Sequence, residues 1–273
     1  MPDPAGPDRR VLVAVDMESY SRRDNLLQYR AQQDFQALMH DAVREVGLDR
    51  TRWVTQQLGD GELAILPQDT SEVTVVSRFA PTVDRLLRTR NAGLAPEARI
   101  RLRISIHQGL VHLDGMNGFP GAAVVAVCRL LDAPPVKAAL TRFPAANVAL
   151  IVSDHIYQDV VRHYRELRPE RFQRVAAVLP DKNFEATAWI FVPDEDATVA
   201  DPRPTEPALA SVTEHLADIP TRTVTTEPAK PVAAEANVQF AGSITAHGPA
   251  SFGNNNTMNI SAADEQPSHL EQR

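Results

Sequence analysis

The strongest constraint on this chain is a change of character at Pro193. Before it, short apolar runs and amphipathic stretches alternate. From it to Glu235, seven prolines fall within 43 residues, separated mainly by Thr, Ala and Glu. A stretch of that composition has too little apolar surface to offset the entropy of ordering it. A single packed core is therefore expected within residues 10–193, behind a short N-terminal extension, 1–9. Residues 194–235 read as an acidic Pro-rich linker. The charge divides at the same point. The whole chain has 28 Lys and Arg against 35 Asp and Glu, net −7, whereas from Pro193 onward there are 12 acids and 4 bases. The body is thus nearly neutral, which argues against a general nucleic-acid surface. No stretch approaches a transmembrane length of uncharged apolar residues. Met1–Arg10 lacks the apolar region of a secretory signal, and the lone Cys128 excludes an internal disulfide or a Cys-based zinc site. A cytoplasmic protein is the expectation. Its 25 Arg against 3 Lys suggest a GC-rich bacterial genome.

Within the body, periodicity assigns the elements. Val11–Asp16 reads as a buried strand. In Asp34–Val46, Phe35, Leu38, Met39, Ala42, Val43 and Val46 share one helical face. Trp53–Gln57 and Glu62–Leu66 flank Gly59-Asp60-Gly61 as a hairpin, and Val73–Arg90 reads as a second amphipathic helix. Arg99–Ile106 alternates, with Ile100, Leu102, Ile104 and Ile106 on one face and Arg99, Arg101, Arg103 and Ser105 on the other. After Gln108-Gly109, Leu110–Leu113 is expected as a partner strand. Gly121–Leu131 reads as a helix stopped by Pro134-Pro135. Val148–Val152 follows as a strand, and then a helix capped by Ser153 and running to about Tyr164. Arg174–Val178 and Thr187–Val192 close the body as a strand pair. Strands and helices mixed in this order imply an α/β or α+β sandwich.

Three patterns carry chemistry. Asp16-Met17-Glu18-Ser19-Tyr20-Ser21 ends the first strand. Leu58-Gly59-Asp60-Gly61 forms the hairpin tip. Gly121-Ala122-Ala123-Val124-Val125-Ala126-Val127-Cys128-Arg129-Leu130 follows the strand bearing Ile104-Ser105-Ile106-His107-Gln108-Gly109. If the first strand neighbours the hairpin, two carboxylates can face one point and hold Mg²⁺ or Mn²⁺, which take oxygen ligands and share them with substrate phosphates. The main-chain carbonyl of Met17 can add a ligand.

Together, in this order and spacing, the patterns resemble the class III nucleotidyl cyclase catalytic domain over about Arg10–Pro193. The resemblance implies a ferredoxin-like α/β fold with an extra C-terminal strand pair. It also implies a head-to-tail homodimer and conversion of an NTP to a 3′,5′-cyclic nucleotide and pyrophosphate with two metal ions. Such an activity would serve bacterial signalling or defence. On this resemblance Asp16 and Asp60 match the metal-binding aspartates, and Arg129 the arginine on the transferring phosphates, supplied by the other subunit. Lys182 approximates the triphosphate-binding lysine, although the usual Lys-Gly is Lys182-Asn183. The family's asparagine is Val125, which cannot hydrogen-bond. The base-reading lysine falls at Gln56 and its partner aspartate near Gly118, so neither the adenine nor the guanine pair is present and the base stays open. His107, Trp53, Tyr20 and Cys128 read as packing residues.

Residues 236–262 differ again, being β-prone, Asn-rich and almost uncharged. Val238-Gln239-Phe240 and Phe252 to Ile260 resemble bacterial amyloid-signalling motifs, implying contact with a partner protein carrying a like motif. Residues 263–273 are expected to be disordered. The alternative to an enzyme is a catalytically degenerate cyclase-like module that binds nucleotide or dimerises, its tail mediating assembly.

Overall fold

The computed structural model describes residues 6–116 and 118–198. Residues 199–235 of the linker, the tail and the motif read in 236–262 lie outside the described residues; Asp194–Thr198, read as linker, pack on the body, with Ala197 buried and Asp194 paired to Arg88. The elements in chain order are β1 (Asp8–Met17), α1 (Asn25–Glu45), β2 (Val54–Gln57), β3 (Gly61–Ile65), α2 (Glu72–Thr74) and, after a π-helical turn Val75–Phe79, α3 (Ala80–Asn91). Then follow β4 (Leu102–Val111), α4 (Ala122–Asp132), α5 (Pro134–Arg142), β5 (Val148–Ser153), α6 (Asp154–Asp159), β6 (Gln173–Leu179) and β7 (Phe184–Phe191). Seven strands form one sheet in the order β2-β3-β1-β4-β5-β7-β6. Among the described residues only β4 and β5 run parallel; the other neighbours are antiparallel. The mixed α/β sandwich expected from the sequence is therefore present.

Alternation decides which side chain serves which face. Val11, Val13, Val15 and Met17 of β1 join Ile104 and Ile106 of β4 in the core beneath α1 and α3, where Phe35, Leu38, Met39, Phe79 and Val83 are buried. Leu12 and Ala14 point the other way, into a smaller core with Leu63, Ile65, Ala123, Val127 and Leu131 under α4. Two steps along that second stripe stands Asp16, so the strand's own periodicity delivers a carboxylate to the α4 face at the end of an apolar row.

Four expectations needed correction. Leu110–Leu113 is not a separate partner strand, because β4 runs unbroken through Gln108 and Gly109 to Val111. Gly109 is there for close approach. A methyl group built on it would lie 2.7 Å from the Ala123 methyl, so the glycine lets α4 lie against the strand. Pro134-Pro135 do end α4, but they also open α5, where the first helical turn tolerates proline because its amides have no intrahelical partner. Ser153 caps α6 as expected, accepting from the Ile156 amide, yet α6 ends at Asp159 and only 3₁₀ turns follow. α1 begins earlier than its apolar face announced, at Asn25, because the Asp24 carboxylate caps it through the Leu27 amide.

Candidate active site

β1 lies between β3 and β4, and Asp16 stands opposite Gly61 on one side and Arg103 on the other. The hairpin tip is tied to it by main chain: the Met17 amide donates to the Asp60 carbonyl at 2.9 Å. Gly61 is obligatory at this junction. A methyl group on it would lie 1.9 Å from the Val15 carbonyl oxygen, so only glycine lets β3 pass. Gly59 takes a φ of +85°, the left-handed turn that closes the hairpin. Gln32 of α1 holds the tip from outside, donating at 2.9 Å to the Gly59 carbonyl and at 2.9 Å to the Tyr20 hydroxyl.

Asp16 and Asp60 thus lie at neighbouring ends, as the sequence order anticipated, and their charges interact. Burial pushes the Asp16 carboxyl up to about 6, outweighing the opposing pull of Arg103. The nearby Asp60 and Asp132 charges add to the rise. A residue not singled out from the sequence holds Asp16 in place. Arg103 donates through Nε and Nη2 to its two oxygens, both at 2.8 Å, a bidentate pair with side chains 14% and 17% exposed. Only the position of Arg103 on the polar face of the alternating strand could have signalled this. The Asp60 carboxylate makes no hydrogen bond or ion pair among the described residues. Met17 is buried, its side chain in the α1–α3 core.

The remaining candidates gather along α4. Arg129 is half-buried near its C-terminal end, its guanidinium making no hydrogen bond or ion pair among the described residues. One turn on, Asp132 accepts from Lys182 Nζ at 2.5 Å, and Lys137 lies 3.7 Å from its other oxygen. Burial would raise Asp132, but Lys182, Lys137 and Arg129 hold it below the usual carboxylate range. Lys182 is therefore ion-paired, not a merely solvated loop lysine, and Asp132 was not foreseen. Val125 is 54% exposed on the same helix, so its apolar side chain is not required by the core. Gln56 and Gly118 are brought together from β2 and the loop before α4. A methyl group on Gly118, where φ is +95°, would lie 3.3 Å from Gln56 Oε1.

Packing accounts for the other residues. Trp53 is buried edge-on to Phe79. Tyr20 packs against the main core. Cys128 is half-buried on α4, and burial raises its thiol. His107 is buried on β4, 5.7 Å from the His155 ring.

The donor set suits a hard divalent cation in one respect. Two carboxylates stand at adjoining strand ends, Asp60 without a cationic partner and Asp16 paired to Arg103, and Mg²⁺ or Mn²⁺ takes few protein ligands when phosphates supply the rest. No group of three or more His, Cys, Asp or Glu is placed to hold a metal among the described residues, so protein side chains alone do not complete a shell.

No protein-family model and no curated protein matches the sequence. Solved structures do. An adenylate/guanylate cyclase/hydrolase from Silicibacter pomeroyi superposes over 70% of this chain and 100% of its own, with a TM-score of 0.51 and 22% identity. The guanylyl cyclase Cya2 covers 70% of this chain and 96% of its own at TM-score 0.46 and 15% identity. The adenylyl cyclase CyaB from P. aeruginosa covers 71% and 99% at 0.45 and 11%. No helix among the described residues is long and apolar enough to cross a membrane. The sheet that brings Asp16 to the Asp60 hairpin beneath α4 is thus the fold of an adenylate/guanylate cyclase domain.

Proposed function

We propose that this chain is a divergent class III nucleotidyl cyclase that converts an NTP to a 3′,5′-cyclic nucleotide and pyrophosphate. The observation carrying this reading is the meeting of Asp16 and Asp60 at adjoining strand ends, joined by the Met17–Asp60 main-chain hydrogen bond. Their electrostatic coupling supports it further. In this reading the two carboxylates and the Met17 carbonyl would hold Mg²⁺ or Mn²⁺. Two such ions, when bound, neutralise triphosphate charge and make the ribose 3′-hydroxyl a better nucleophile. The 3′-oxygen bonds to the α-phosphorus, the bond to the β-phosphate oxygen breaks, and the hydroxyl proton passes to solvent. Arg129, supplied by the second copy of a homodimer, stabilises charge growing on the transferring phosphate. Lys182 contacts the polyphosphate after exchanging Asp132 for it. Gln56 offers both a donor and an acceptor to the base edge beside Gly118.

A second reading is a domain that binds nucleotide or dimerises without turnover, with assembly passing to the tail and a like-motif partner. The exposed Val125 at the asparagine position and the occupied oxygens of Asp16 favour it. Full-length protein, incubated with Mg²⁺ or Mn²⁺ and each of ATP, GTP, CTP and UTP, separates the two by mass spectrometry. A cyclic product absent from the Asp60→Ala variant upholds the enzyme and names its base. Nucleotide binding without product from any NTP upholds the second reading.

A further inference from the structure

The two aspartates differ in a way that the metal reading does not anticipate. Asp60 is open. Asp16 is closed, with both oxygens taken by the planar fork of Arg103, which β4 places directly opposite on the next strand. The pair is mostly removed from water, so solvent screens it weakly. Carboxylates at Asp60 and Asp132 also act on Asp16, and Arg103 is the cation ion-paired to it. A divalent cation approaching Asp16 would meet a like charge held at hydrogen-bond distance from the oxygens it needs.

We propose that Arg103 is an internal counter-ion that competes with the divalent cation for Asp16, so that the nucleotide-free protein binds metal weakly, through Asp60, until Arg103 is displaced. Arg103 is then a positioning residue acting through Asp16. Metal loading becomes coupled to whatever draws the guanidinium away, and an anionic substrate arriving with its own metal is the chemistry suited to do so. This inference rests on the assignment of Asp16 and Asp60 as metal ligands.

Mn²⁺ binding tests it without reference to turnover. Full-length wild type, Arg103→Gln, Arg103→Lys, Asp60→Asn and the double variant Arg103→Gln/Asp16→Asn are titrated with Mn²⁺ alone, and free Mn²⁺ is read by electron paramagnetic resonance. Arg103→Gln is expected to bind about tenfold more tightly than wild type, as removal of a mostly desolvated competing charge implies. Arg103→Lys keeps the charge but loses the fork and should fall between them. The double variant should lose the gain, because the gain acts through Asp16. Arg103→Lys also serves if Arg103→Gln does not fold, since tighter binding than wild type is expected from it too. Affinity in both Arg103 variants equal to or weaker than wild type, with binding still lost in Asp60→Asn, overturns the counter-ion role and leaves the metal assignment standing. No Mn²⁺ binding by wild type or any Arg103 variant overturns both.

Discussion

Acidification should destabilise this protein through one histidine. His107 is 8% exposed on β4, and its buried Nδ1 has no hydrogen-bond partner. Burial first, then the neighbouring His155 and Arg9, push its imidazole from the ordinary 6.5 down to about 4. A base whose folded pKa is depressed binds its proton more readily in the unfolded chain. Stability therefore rises with pH across the interval between the two values and is lost as pH falls through it. With folded and unfolded values near 4 and 6.5, linkage gives a loss of about 2 kcal/mol by about pH 5 and about 3 kcal/mol near pH 4. Carboxylates titrate in the lower part of the same interval, so the test is a difference. Urea unfolding of wild type and of His107→Leu, followed by circular dichroism at successive pH values, should show wild type losing about 2 kcal/mol relative to the variant as pH falls from about 7 to about 5. The non-titrating variant is spared this loss. Parallel curves would refute the reasoning, because they would mean that His107 gains its proton as easily folded as unfolded.

Four further outcomes are expected. Gly61→Ala should fail to fold or melt far below wild type in a thermal scan, since the added methyl meets the Val15 carbonyl in a place where neither strand can yield. Arg50→Ala should cost roughly 3–5 kcal/mol by denaturant unfolding, because it strands Glu62, fully buried and paired to Arg50 through both oxygens. Asp60→Ala should abolish cyclic product while leaving the melting temperature within a degree or two of wild type, because its carboxylate has no protein partner to lose; a collapse of stability would instead assign Asp60 a structural role. Val125→Asn should raise turnover by about tenfold or more in the same product assay, by restoring a hydrogen-bonding group at an exposed position that the core does not use. An unchanged rate would argue against placing residue 125 at the phosphates.

Much of the fold was legible because its elements carry their own periodicity. The two-residue alternation of β4 predicted which side chains enter the main core, and the apolar face of α1 was readable from Phe35 to Val43. The errors fell where punctuation residues have two meanings. Gly109 looked like a turn because glycine serves turns; it is a strand residue cleared for the approach of α4, which no local pattern announces. Pro134 and Pro135 looked like a stop, and the start of α5 was missed because proline is also a good first helical residue.

The candidate site divides in the same way. Asp16, Asp60 and Arg129 could be picked out by the sequence alone, because each lies in a short local pattern whose order along the chain is informative. Local pattern also determined that Gly59 and Gly61 bracket a tight hairpin. What tertiary structure decided is who neutralises whom. Arg103 was one of three arginines on an exposed-looking strand face, and Asp132 one acid near a helix end. Strand register set Arg103 opposite Asp16, and the return of β6 to β7 carried Lys182 to Asp132. Ion pairing depends on distance through space and on burial, and residues 87 and 50 positions apart in the chain have neither until the sheet and α4 are assembled.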